Sequence, residues 1–181
     1  MKATLTSRLS IAGVLLATLG LPAAASAQYQ LPTLTSLARA DSLHDAAAAL
    51  VAAHRWGDAA RLHRSSAQLR DADDPLAFRC LKDAAALEYA TGDRTSARKD
   101  MAAAAQQALA RGDLKEAGLA YVDAAWIAQE QNNPGQVWEL GHRAEMLADS
   151  PLLGAADRAA ILDRISRAPE GVQLAMRKAE P

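Results

Sequence analysis

Residues 91–126 read TGDRTSARKDMAAAAQQALARGDLKEAGLAYVDAAW, and the two Gly-Asp pairs inside this stretch decide what kind of fold the chain can have. Glycine tolerates the left-handed conformation that closes a helix, and an aspartate after it can cap the free N–H groups of the next one. Gly112 therefore ends one helix and Asp113 begins another, with Glu116 three residues on as in a capping box. Arg111 suits a helix C-terminus, where a cation meets the negative end of the dipole. The tripeptide Arg111-Gly112-Asp113 also spells an adhesion signal, but the same turn recurs as Thr91-Gly92-Asp93 without the arginine. It is read here as a turn.

Working outward, similar punctuation stands at Gly57-Asp58, Asp73-Asp74-Pro75, Asn132-Asn133-Pro134-Gly135 and Ser150-Pro151. Pro75 and Pro151 fit a first helical position, which needs no donor. Between these breaks the chain is rich in Ala, Leu, Gln, Arg and Glu, a helix former's composition with little material for sheets. The expected class is all-α, with helices over 33–54, 58–72, 75–91, 93–110, 113–131, 134–148 and 151–167. Residues 28–32 read as a short polar leader and 169–181 as a flexible tail.

At the start, Lys2 and Arg8 precede an apolar run over 9–21, Pro22 breaks it, and Ala25-Ser26-Ala27 supplies a small-x-small cleavage pattern. Residues 1–27 are read as a cleavable signal peptide, which places the mature chain in the periplasm or outside the cell. The run is too short for a spanning helix of roughly 20 residues. Loss of Lys2 and Arg8 takes the formal charge from −1 to −3, a balance that offers no field for nucleic acid or anionic membrane. Cys80 is the single cysteine, so no disulfide can form within the chain.

Repetition gives the architecture. Pro75, Asp113 and Pro151 open helices at a spacing of 38 residues, which makes the unit a helical hairpin: three hairpins plus one further helix over 33–168. Aligned on His54, Gly92, Gly112 and Asn132, each turn is preceded at eleven residues by Leu43, Leu81, Met101 or Tyr121. Small pairs lie eight and seven before it: Ala46-Ala47, Ala84-Ala85, Ala104-Ala105 and Ala124-Ala125. Ala59, Ala97, Ala117 and Val137 follow at five, and Ser66, Ala104, Ala124 and Ala144 at twelve.

This arrangement, best seen in GDRTSARKDMAAAAQQAL (92–109) and RWGDAARLHRSSAQLRDADDP (55–75), resembles the tetratricopeptide repeat (TPR) family. There, small residues let antiparallel helices approach closely. The chain departs from the family in its longer unit, in alanine where the family has a glycine seven before the turn, and in His54 and Asn132 at turn positions.

The resemblance implies a short TPR-like array whose first helices line a concave groove. It places there Asp41, His44 and Val51, then Arg79, Lys82 and Tyr89, then Leu119, Val122, Trp126 and Gln129. The partner-binding groove is expected at Arg79, Lys82, Tyr89, Val122, Trp126 and Gln129, a cationic middle beside an aromatic wall. Such a wall suits a peptide with an acidic group and an apolar anchor. Tyr89 and Trp126 can simply be core, a reading placed first for Trp126, while Arg79 and Lys82 stay undecided between groove and solvated face. Asn132 and Asn133 are the only asparagines and both lie in a turn, so the carboxylate clamp for chaperone tails is not expected. Trp56 and Trp138, each near a turn, are read as plugs between helices.

No phosphate loop, nucleophile elbow or isolated carboxylate pair is present, so the chain is expected to be no enzyme and to need no cofactor. Among the histidines, His54, Asp58 and His63 form the closest set but flank a turn, and no two histidines have the i, i+4 spacing of two ligands on one face. All four, His142 included, are read as surface residues with no metal. Cys80 is read first as structural, then as an intermolecular disulfide, and last as a nucleophile. The function expected is an exported non-enzymatic scaffold for protein–protein contact. The alternative is a helical bundle holding a small ligand or metal through His and Cys.

Overall fold

A computed structural model describes the backbone of residues 21–177 and the side chains of residues 36–173. Those residues form α1 (Leu21–Ala52), α2 (Trp56–Gln68), α3 (Pro75–Thr91), α4 (Arg94–Ala110), α5 (Leu114–Glu130), α6 (Pro134–Ala148), α7 (Ala155–Ser166) and α8 (Glu170–Arg177). The chain divides into residues 1–37 and residues 38–181. In the first part the described residues, 21–37, are helical, which includes the expected leader 28–32. The signal-peptide reading rests mainly on residues outside those described. The second part holds the packed helices and both clusters of functional interest.

Four of the connections share one geometry. His54, Gly92, Gly112 and Asn132 have φ of 57°, 89°, 76° and 52°. In each, the left-handed residue's N–H bonds three residues back: His54 to Val51, Gly92 to Tyr89, Gly112 to Leu109 and Asn132 to Gln129. The next residue's N–H reaches five back: Arg55 to Leu50, Asp93 to Glu88, Asp113 to Ala108 and Asn133 to Ala128. That pair of bonds is the Schellman closure, which satisfies carbonyls left free at a helix end. Asp93, Asp113 and Asn133 then accept from the N–H groups of Ser96, Glu116 and Gln136 and so cap the next helix. One short turn thus ends a helix and starts its neighbour. The capping box at Asp113 is only half made, because the Glu116 carboxylate lies 3.6 Å from Lys82 Nζ.

Successive helices from α2 to α6 pack side by side in an all-α stack of helical hairpins. The aligned small residues sit at the crossings: Ala47, Ala59, Ser66, Ala84, Ala97, Ala104, Ala105, Ala117, Ala124, Ala125, Val137 and Ala144 are wholly buried, and Ala46 alone of the set is exposed. Arg64 ties three helices together, donating through Nε to both Asp100 oxygens at 3.1 and 2.9 Å and through Nη2 to Glu88. Both carboxylates are buried.

The C-terminal end departs from expectation. Pro151 opens no helix but sits in a turn, and α7 starts at Ala155 behind Gly154, so the helices at 75, 114 and 155 do not keep a 38-residue step. Glycine, serine and proline across 150–154 hold an extra loop there. The segment expected as a tail contains α8, which packs on α6 and buries Val172.

Candidate functional site

A cavity of about 320 Å3 opens between α3, α4, α5 and α7, lined by Ala85, Ala86, Tyr89, Met101, Asp123, Trp126, Ile127 and Arg164. Its walls are mostly apolar. The polar groups at its rim are already paired: Tyr89 donates its hydroxyl to Glu130 at 2.6 Å, Arg94 lies 3.7 Å from the Tyr89 ring centroid, and Arg94 Nε donates to Glu130 at 2.8 Å. On the far side Arg164 Nε donates to Asp123 at 2.7 Å, and its guanidinium stands 5.6 Å from the Trp126 ring centroid. Burial lifts the Asp123 carboxyl above the ordinary carboxylate range, against the opposing pull of Arg164. These pairings fix the two aromatic rings as the walls of a preformed slot suited to an apolar side chain.

Of the groove residues expected from the sequence, Tyr89 and Trp126 share this cavity. Val122 does not: it is fully buried in the core and can touch no partner. Gln129 is half-buried and packed against α8, so close beneath Gly171 that a Cβ there would lie 2.4 Å from Gln129 Nε2. Arg79 is exposed and lines no part of the cavity, and Lys82 is engaged with Glu116 and lies 5.1 Å from the Phe78 ring centroid. The cation at the cavity is instead Arg164, brought from α7. No local signal marks it, because it lies 41 residues from Asp123.

Other expectations are also corrected. Trp56 and Trp138 are 38% and 46% exposed rather than plugs, and Trp138 stacks on His142 with centroids 5.5 Å apart. Arg111 is folded down, 4.9 Å from the Phe78 ring centroid and with Nη1 buried, which removes it from the exposed loop that an adhesion tripeptide needs.

The histidines are not all surface residues. His63 is 4% exposed, its Nδ1 is without a hydrogen-bond partner, and its ring centroid lies 5.3 Å from that of His44. His44 Nδ1 in turn lies 3.4 Å from the Cys80 sulfur. Burial pushes His63 below its ordinary value and the Cys80 thiol above its own. Cys80 is wholly buried, which closes it to a disulfide with a second chain and to service as an exposed nucleophile. The clustering was open to inspection in the turn register. His44 lies ten residues before His54 and His63 nine after, so an antiparallel hairpin sets them level.

Family models, curated proteins and solved structures were each compared with the chain, and none matches.

Proposed function

We propose that the protein is an exported, non-enzymatic TPR-like scaffold that holds a protein or peptide partner by an apolar side chain seated between Tyr89 and Trp126. The observation that carries this reading is the cavity itself, two aromatic walls held by the Arg94–Glu130 and Arg164–Asp123 pairs. The TPR part rests on the four turns in one register with small residues at the helix crossings. Export rests on the pattern of residues 1–27. Because Arg164 is neutralised by Asp123, the apolar anchor contributes more to binding here than an acidic group does. Desolvated aromatic residues are where such contacts concentrate their energy.

The test is capture from envelope extracts on immobilised wild-type protein, on Tyr89→Ala/Trp126→Ala and on Arg79→Ala/Lys82→Ala. Partners held by wild type and by the second variant but lost by the first support the reading. Partners held equally by all three place the binding surface elsewhere.

A further inference from the structure

The cluster at the other end of the stack is independent of that groove. His44 of α1, His63 of α2 and Cys80 of α3 each offer one donor atom, and the three atoms lie within 4.8 Å of one another. We propose that these residues form a binding site for a thiophilic first-row transition-metal ion, with zinc the simplest occupant, that clips the first three helices together.

Geometry supports this directly. A tetrahedral zinc ion holding one sulfur and one imidazole nitrogen sets them roughly 3.6 Å apart, from bond lengths of about 2.3 and 2.0–2.1 Å. The Cys80 sulfur and His44 Nδ1 are at 3.4 Å. The remaining donor pairs lie within 4.8 Å and need close by at most about 1.5 Å to meet tetrahedral spacing.

The second observation is His63. An imidazole so deeply buried ordinarily satisfies both nitrogens, yet its Nδ1 is without a partner. A buried ring with an unsatisfied nitrogen beside a thiol is costly as a mere packing element, and a metal ion held through that nitrogen would remove the cost. Ser66 supports the thiol, its hydroxyl donating to the Ala40 carbonyl at 2.7 Å while lying 3.7 Å from the sulfur.

The donor set selects the ion. One thiolate and two imidazoles suit zinc or copper, whereas magnesium and calcium demand oxygen ligands that the cluster does not offer. On binding, the Cys80 thiol releases its proton to solvent as the sulfur–metal bond forms. His44 is half-buried, so the fourth position faces the more open side, where water completes the shell. The three ligands come from three successive helices, so occupancy converts directly into stability.

The experiment uses the full chain, stripped with a chelator, then loaded with Zn2+ or with Co2+ as its spectroscopic substitute. One zinc per chain retained through gel filtration, a thiolate-to-cobalt charge-transfer band and a higher melting temperature with zinc are expected. Cys80→Ser abolishes the band, and His44→Gln, at a half-buried position and with its fold checked by circular dichroism, weakens zinc binding at least about tenfold. Trp126→Ala leaves zinc binding unchanged, which separates this site from the groove. No zinc retained by wild type, a cobalt spectrum without the thiolate band, or unaltered affinity in His44→Gln overturns the proposal.

Discussion

Gly118 of α5 lies against Ile161 of α7 so closely that a Cβ at 118 would stand 2.5 Å from Ile161 Cδ1 and 3.0 Å from Cγ1. Ile161 is wholly buried and has little room to turn away. The glycine weakens α5 as a helix but lets α7 dock, and α7 carries Arg164 to Asp123 and Trp126 further along α5. The close approach therefore helps to build the cavity.

Gly118→Ala sets a helix-propensity gain of about 1 kcal/mol against an overpacking cost of about 1–3 kcal/mol. Net destabilisation of about 1 kcal/mol is expected in chemical denaturation. Ile161→Val removes the offending methyl, so the double variant should be more stable than the sum of the single changes allows. Additive effects would mean that the two residues do not meet.

The turns separate backbone strain from contacts. Nothing lies within 4 Å of a Cβ built at Gly92 or Gly112, so alanine there meets only the left-handed conformation. Gly92→Ala and Gly112→Ala should each cost about 1–2 kcal/mol. His54→Gly and Asn132→Gly should cost far less than an ordinary helix-to-glycine change, and His54→Gly should stabilise by a few tenths of a kcal/mol or more. Loss of stability in His54→Gly equal to that in Gly92→Ala would contradict the shared turn geometry.

Stability against pH tests what governs Asp123. Its folded-state pKa is raised above the ordinary 3.8 by burial, with Arg164 opposing. The folded chain then takes up the proton before the unfolded chain does, so the carboxyl's contribution to stability grows as pH falls through the raised value and levels off below 3.8. Wild type should gain on Asp123→Asn in thermal unfolding as the pH is lowered through the raised value towards 3.8. A gap that narrows instead would show that the Arg164 pair outweighs desolvation.

The sequence could be read well where structure is local. Turn residues, caps and the periodic alanines are short-range signals, and their register marks buried positions such as Ala104 and Ala144, with Ala46 the exception. Reading failed where the outcome depends on how whole helices dock. Pro151 looks like a helix opener but is held in a loop, α8 folds back on α6, and Val122 is buried and Gln129 half-buried as a result of packing rather than composition. Arg164 and the His44–His63–Cys80 cluster join residues 17 or more positions apart, beyond the reach of i, i+4 spacing.

The most direct measurement of the groove is photo-crosslinking from a benzophenone side chain placed at Ala86, which is exposed and lines the cavity, with Leu152, 85% exposed, as the control. A groove between Tyr89 and Trp126 predicts a partner adduct from position 86 in envelope preparations, suppressed by Trp126→Ala and absent from position 152. Adducts from position 152 with none from position 86 would contradict it.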